Sequence, residues 1–378
     1  MTGAECLLRT LLANRVDLCL MNPGTSEMQF VAALDRVPGM RGVLCLFEGV
    51  CSGAADGYAR MSGTPAATLL HLGPGLANAL ANLHNARKAR TPVVNIVGEH
   101  ATGHLRYDAP LTTDTAAFAR TVSEWVRVLD RAGEMGRAAS CAVAAATEPP
   151  GRPATLIVPA DYSWSEAGEP GSPAPRVSRR GPSGEAVREA ARWLRSGKPA
   201  GLVLSGSALS ERGLRAAGRL HAATGARVFA DRYAARTARG RGVFEAERIP
   251  YFPEPAQAAL AGLARLVLVE AHPPVSFFGY AGVSSTLAPE GCAFHTLATP
   301  AEDGTAAQEA LAEECGAGAA APEDGRPPEL PRGEALSAEA VGRVLAAMLP
   351  EDAIVSDESV SSNEAVWPHL RHAARHEY

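Results

Sequence analysis

Glu48 stands where an apolar run, Gly42 to Phe47, gives way to a small-residue stretch that continues to Arg60. An ionised glutamate is expensive to bury alone, so a carboxylate at such a junction is either solvated or held there to exchange a proton or a hydrogen bond with a bound group. Two further junctions carry polar side chains. Asn22-Pro23-Gly24-Thr25-Ser26-Glu27 follows the first apolar run, with Pro23 and Gly24 suited to a tight turn and Thr25 or Ser26 to capping the next helix. His71 ends the run that includes Thr68 to Leu70 and precedes Leu72-Gly73-Pro74-Gly75, whose glycines permit close backbone approach to a ligand. A plain turn with a helix cap, and a core histidine with a satisfied ring, would account for either motif taken singly. Thr25, Glu48 and His71 together would end three strands at one edge of one sheet, which is where open α/β sheets bind ligands.

The elements that must position these residues are read from the apolar pattern. Short β-rich runs at Val16 to Met21, Gly42 to Phe47, Ala66 to His71, Pro92 to Gly98 and Ala154 to Pro159 alternate with helical stretches at Glu27 to Asp35, Gly49 to Met61 and Leu76 to Ala89. Near-continuous apolar strands separated by helices predict a doubly wound parallel sheet covered on both faces, over residues 1–165. A Pro/Gly/Ser-rich linker is expected at 166–185. A second, Rossmann-like α/β unit is expected over 186–325, with strands at Gly201 to Ser205, Ala226 to Ala230 and Leu266 to Glu270, and helices at Glu185 to Ser196 and Ser210 to Thr224. After a loose stretch from Gly316 to Arg332, residues 334–378 hold a helix from Ser337 and a short strand at Ala353 to Ser356, too little for another complete α/β domain.

Composition narrows the function classes. A net charge of −5 over 378 residues gives no general attraction to nucleic acid or to an anionic membrane surface. No apolar run reaches the roughly 18 residues that span a bilayer, and the N-terminus lacks the order of a signal peptide, so a cytoplasmic protein is expected. Seven cysteines, Cys6, Cys19, Cys45, Cys51, Cys141, Cys292 and Cys315, form no CxxC pair and read as reduced thiols. Glu99, His100 and His104 follow the fourth run, but the two histidines straddle Gly103 and lack a third ligand, so a polar loop at the mouth of the site is expected there.

In combination, Asn22-Pro23-Gly24-Thr25, Phe47-Glu48-Gly49 with the Gly57-Tyr58-Ala59-Arg60 ending, and His71 with Gly73-Pro74-Gly75 and Asn78, resemble the pyrimidine-binding domain of thiamine-diphosphate enzymes. The likeness is to acetolactate synthase large subunits and benzoylformate decarboxylases. The resemblance implies that Glu48 hydrogen-bonds the aminopyrimidine ring and so promotes loss of the thiazolium proton. The activated cofactor then takes up a 2-oxo acid, and carbon dioxide leaves. It implies proton-transfer and substrate-orienting roles for His71 and Thr25, and cofactor contacts for Asn22, Pro23, Gly24, Glu48, Gly73, Pro74, Gly75 and Asn78. His71 occupies a position used by the decarboxylase branch, whereas residues 98–111 look more like the synthases, which often carry Gln where Glu99 stands.

The resemblance also sets expectations for the rest of the chain. The central unit carries flavin (FAD) in some synthases, but neither a GxGxxG run nor an ArgPheAspAsp-type segment is present, which speaks against flavin. The Ala271-to-Gly279 loop is expected to reach toward the active site. Mg²⁺ and the diphosphate are held in this family by a GlyAspGly motif and a later Asn. Asp303-Gly304 and Asp324-Gly325 lack that setting, so residues 334–378 read as only the opening of a diphosphate-binding domain. No metal ligand is assigned to this chain, and alone it is expected to be inactive. A homodimer or tetramer is implied, since the family builds each site from two subunits. The reading is 2-oxo acid decarboxylation or carboligation of the acetolactate synthase kind, with a benzoylformate-type decarboxylase and a catalytically incompetent binding or scaffold subunit as alternatives. An NAD-type oxidoreductase is disfavoured for want of the glycine fingerprint and a ribose-binding acid.

Overall fold

The computed structural model describes residues 1–319, 325–333 and 335–378. Within them the chain divides into two compact units, Met1–Ser178 and Arg179–Tyr378.

In the first unit the apolar runs become β1 (Leu18–Asn22), β2 (Arg41–Leu44), β3 (Ala66–Leu70), β4 (Val93–Glu99), β5 (Trp125–Val128) and β6 (Pro153–Pro159). They pair in parallel, in the order β2-β1-β3-β4-β6-β5, as one six-stranded sheet among the described residues. The helices are α1 (Gly3–Ala13), α2 (Met28–Leu34), α3 (Glu48–Ser62), α4 (Leu72–Ala89), α5 (Thr115–Arg120), α6 (Met135–Thr147) and α7 (Ala160–Trp164). Alternate residues of each strand serve opposite faces. Leu69 and Ile96 join Leu7, Leu8 and Leu11 of α1 and Ala139 of α6, while Leu70 and Val97 join Leu76 and Leu83 of α4 and Cys51 and Ala55 of α3. Two apolar cores sandwich the sheet, and this explains why its central strands read as unbroken hydrophobic runs.

Two boundaries differ from the sequence expectation, and both lie at the site. β2 stops at Leu44, three residues short of Phe47, because this edge strand has one neighbour and its last ladder contact is Cys45 N–H to Met21 O. Leu46 then stands 94% exposed. α4 begins at Leu72, so Gly73-Pro74-Gly75 form its first turn where a separate turn was expected. Proline is tolerated there because first-turn amides have no intrahelical acceptor. Leu72 enters with φ +52, a left-handed conformation that costs a non-glycine residue on the order of 1–3 kcal/mol. Part of the predicted linker lies against the first unit, where Gly171 N–H meets Thr10 Oγ1 and Ala174 N–H meets Asn14 Oδ1.

The second unit contains β7 (Ala200–Leu204), β8 (Arg227–Ala230), β9 (Ala238–Arg239), β10 (Glu247–Arg248), β11 (Arg265–Val269), β12 (Ala293–Ala298), β13 (Ala353–Ile354) and β14 (His376–Glu377). A parallel sheet runs β10-β8-β7-β11-β12, and a small ribbon runs β13-β14-β9. Its helices are α8 (Gly184–Leu194), α9 (Glu211–Thr224), α10 (Pro253–Leu260), α11 (Gly304–Glu314), α12 (Ala338–Met348) and α13 (Asn363–Leu370). The C-terminal segment is fastened to this unit through Arg239, which is buried, pairs with Glu245 at 2.6 Å and lies 3.5 Å from the centre of the Trp367 ring. Burial holds the Arg239 guanidinium below its ordinary pKa, an effect that the Glu245 charge partly offsets. Asp324 and Glu334, at the expected domain boundaries, lie outside the described residues. No helix among the described residues is long and apolar enough to cross a membrane.

Candidate functional site

In the first sheet β1 lies between β2 and β3, so the connections leaving β1 and β3 diverge and open a crevice at their carboxyl ends. Glu27 follows β1 and His71 follows β3, and they meet in that crevice. His71 Nδ1 lies 2.7 Å from Glu27 Oε2. The same oxygen accepts the Gly24 N–H at 2.8 Å. The other oxygen, Oε1, is buried and has no hydrogen-bond partner among the described residues. It faces Gly98 of β4, where any Cβ would overlap it. Glu27 is only 3% exposed. Burial pushes its carboxyl above the usual carboxylate range, and the hydrogen bonds from His71 and Gly24 pull back part of that rise.

Glu48 begins α3 and is 8% exposed. A carboxylate is favoured at a helix N-terminus, where unpaired backbone N–H groups leave a partial positive charge. Asn78 of α4 donates to Glu48 Oε2 at 3.0 Å. The two helices are clasped just behind it, since Asn82 Nδ2 reaches Gly49 O at 2.7 Å and Ser52 Oγ reaches Ala79 O at 3.1 Å. Gly75 separates the acid from the histidine: a Cβ there would sit 2.9 Å from Glu48 Oε1 and 3.3 Å from His71 Cβ. Asn22 ties the end of β1 to the turn before α3 through Cys45 O, 2.8 Å away.

Of the residues singled out in the sequence, the structure therefore gathers Gly24, Glu48, His71, Gly75 and Asn78 at one sheet edge, with Asn22 and Pro23 in the adjoining loop. Gly73 and Pro74 lie in the first turn of α4. Thr25 stands exposed at the start of a 3₁₀ turn, and among the described residues no hydrogen bond joins it to His71 or Glu48. Neither Thr25 nor Ser26 caps the next helix; Glu27 folds back onto Gly24 instead. Glu27 is the residue that sequence reading missed. Its signal is the spacing of a capping box, with an acid three residues beyond the turn residue Gly24. Glu99 ends β4 with Oε2 accepting from Thr115 Oγ1 at 2.7 Å and Oε1 from the His100 amide at 2.9 Å, so it anchors the loop to α5. His100 and His104 stand ring to ring in that loop, 5.4 Å apart, and the described residues contain no group of three acidic, His or Cys side chains fit for a metal.

The arrangement offers a carboxylate with one oxygen fixed by Asn78 and the other bordering a glycine, beside an imidazole whose Nδ1 is held by a second carboxylate. A carboxylate held in this way can exchange a hydrogen bond or a proton with a ring nitrogen. The imidazole, with Nδ1 engaged, has Nε2 to offer for proton transfer.

Residues 1–119 match the family model described as "Thiamine pyrophosphate enzyme, N-terminal TPP binding domain". Over 362 residues, 95% of this chain, the sequence is 51% identical to the Mycobacterium tuberculosis protein named "Putative acetolactate synthase large subunit IlvX", of which it covers 69%. It is 32% identical over 146 residues to a benzoylformate decarboxylase of Pseudomonas aeruginosa, covering 38% of this chain and 27% of that protein. The fold matches the Rhodococcus jostii RHA1 thiamine diphosphate-dependent 4-hydroxybenzoylformate decarboxylase with a TM-score of 0.82 and 22% identity, over 99% of this chain and 74% of that one. The chain belongs to the family of thiamine-diphosphate-dependent enzymes that includes acetolactate synthase large subunits and benzoylformate decarboxylases.

Proposed function

We propose that this chain supplies the aminopyrimidine side of an active site for thiamine-diphosphate-dependent decarboxylation of a 2-oxo acid. The observation that carries the reading is the pair of polar centres flanking Gly75: Glu48 held by Asn78, and His71 held by Glu27. When bound, thiamine diphosphate supplies an electron sink for the carbon that loses carbon dioxide. Glu48 accepts and returns a proton at the ring nitrogen, and Asn78 keeps its carboxylate turned that way. Glu27 accepts a hydrogen bond from the Nδ1–H of His71 and so fixes the tautomer, leaving Nε2 to carry a proton to or from the substrate. Asn22, Pro23, Gly24, Gly73, Pro74 and Gly75 would help hold the aminopyrimidine ring, and Thr25 would orient the substrate carboxylate.

A proton donor beside the reacting carbon favours release of an aldehyde. The 51% identity with a protein named as an acetolactate synthase large subunit favours the second reading, in which that carbon joins another 2-oxo acid. Around Glu48 the exposed side chains Leu44, Leu46, Phe47 and Val50 form an apolar rim. Such a rim supports assembly as a homodimer or tetramer.

The test is to supply the intact protein with thiamine diphosphate, Mg²⁺ and a panel of 2-oxo acids, following carbon dioxide and the organic product. An aldehyde supports the first reading and a hydroxy-oxo acid the second. Absence of turnover across the panel sinks both and leaves a non-catalytic subunit.

A further inference from the structure

The second unit repeats the topology of the first at its own switch point. β7 comes first in the chain, β8 lies on one side of it and β11 on the other, so the crevice between the carboxyl ends of β7 and β11 is the expected place for an anionic ligand. The donors for one are there. Ser205-Gly206-Ser207 turns out of β7 with Gly206 at φ +56, α11 starts at Gly304, and Arg179 reaches in from the start of the unit. A glycine turn, a hydroxyl, a helix-start amide and a guanidinium are the groups that cradle a phosphate.

These donors are already engaged by Glu270, the residue directly after β11. Its Oε1 accepts the Gly304 N–H at 2.9 Å and the Ser207 hydroxyl, and Arg179 Nη1 lies 2.7 Å from Oε2. Glu270 is 1% exposed and holds φ +53, a strained conformation for a glutamate. The fit leaves no slack, because a Cβ on Gly206 would overlap Oε2 and one on Gly304 would lie 2.6 Å from Oε1.

We infer that the switch-point crevice of the second unit is an anion site sealed by the chain's own Glu270 carboxylate, so that this unit takes no flavin or nucleotide phosphate there. The flavin carried by the equivalent unit in some synthases does not fit these residues: its diphosphate would have to displace a buried carboxylate and then lie against the displaced negative charge. Removing the side chain converts the crevice into a phosphate site. The inference does not depend on the reaction proposed for the first unit.

Isothermal titration of the intact protein with inorganic phosphate, ADP and FAD tests it, together with thermal melts. The wild type is expected to bind none of them at this crevice. Glu270→Gly, which suits the positive φ, is expected to bind phosphate and ADP at least ten-fold more tightly than the wild type, and to lose that gain when Arg179→Ala is added. Glu270→Ser serves as the second variant if Glu270→Gly does not fold, with a phosphate-dependent rise in Tm as the readout. Glu270→Gln, which still fills the crevice, is expected to show neither gain nor rise. ADP or FAD binding to the wild type that Arg179→Ala abolishes overturns the inference. So does a folded Glu270→Gly or Glu270→Ser protein whose phosphate affinity matches the wild type.

Discussion

Glu27→Gln isolates what the buried carboxylate does for His71. The amide is isosteric, and its oxygen can go on accepting the Gly24 N–H now held at 2.8 Å, so the loop between β1 and α2 should keep its shape. The contact that changes is the 2.7 Å one to His71 Nδ1. A carboxylate there only accepts, so the ring proton sits on Nδ1. Gly24 and His71 meet the same oxygen, so the glutamine oxygen can keep both hydrogen bonds; what is lost is the carboxylate's charge, and with it the charge assistance that holds the Nδ1 proton in place. A hydrogen bond to a charged group contributes about 1.5–3 kcal/mol and a neutral one about 0.5–1.5 kcal/mol, so losing the charge removes about 1–1.5 kcal/mol, which at 1.36 kcal/mol per decade corresponds to a loss of roughly 5- to 10-fold in kcat. Steady-state turnover of a 2-oxo acid with thiamine diphosphate and Mg²⁺ measures it, and a shifted pH–rate profile distinguishes a reoriented base from mere destabilisation.

Stability adds a second, signed readout. Burial raises the folded pKa of Glu27 above its unfolded value near about 4.3, so the folded state binds the extra proton. The stability this contributes is complete below the unfolded pKa and is lost as pH climbs through the raised folded one. Melting curves of wild type and Glu27→Gln should therefore converge or cross on raising the pH from the ordinary carboxylate range. A variant with wild-type kcat and an unshifted pH–rate profile would refute the reasoning, because His71 would then need no carboxylate to act.

Glu48→Gln should lower turnover by roughly 10²–10⁴-fold with little change in Tm, as expected when a proton-transferring group is replaced by its amide; retention of a tenth of the activity would discount the role. Gly98→Ala places a Cβ on Glu27 Oε1, so it should cost about 1–3 kcal/mol of stability and reproduce the altered pH–rate profile of Glu27→Gln. Arg239→Met leaves Glu245 its 3.1 Å contact to Arg371 and removes the guanidinium stacked on Trp367. A loss of about 3 kcal/mol, read as a Tm lower by roughly 6–12 °C for a unit of this size, is expected.

What could be read in the sequence was whatever leaves a periodic trace. β3 and β4 announced themselves because residues buried on both faces make unbroken apolar runs, and the junctions after β1, β2 and β3 followed from them. Glu48 was legible because an acid beside such a run needs a reason. Glu27 was not, since its partner lies 44 residues away and the chain between them gives no hint of the distance. The early start of α4 escaped for a local reason: Gly73-Pro74-Gly75 carry turn propensity, and only packing decides that they wind as helix. The ribbon β13-β14-β9 has two residues per strand, too short for any alternation to show, and Trp367 could be matched with Arg239 only once the chain had folded back.

The two switch points make opposite use of one residue type, and the difference lies in how many donors each carboxylate meets. Glu270 receives an amide, a hydroxyl and a guanidinium, which between them engage both oxygens; a fully satisfied buried ion has nothing left to exchange and serves to close the crevice. Glu27 receives one amide and one imidazole on a single oxygen, and the other oxygen is buried without a partner, at a cost of about 1–3 kcal/mol. No side chain at Gly98 can relieve it, because a Cβ there would lie on that oxygen. With Oε1 unpartnered, the interaction with His71 and the Gly24 N–H are what offset the burial of Glu27. The imidazole is thereby held in one orientation at the edge where Glu48 also stands. Crowding that oxygen tests this directly. Gly98→Ala, which presses a Cβ onto Oε1, should displace the carboxylate, loosen the hold on His71 and lower turnover along with stability. Wild-type turnover and an unshifted pH–rate profile in a folded Gly98→Ala protein would show that Glu27 has no part in positioning the histidine.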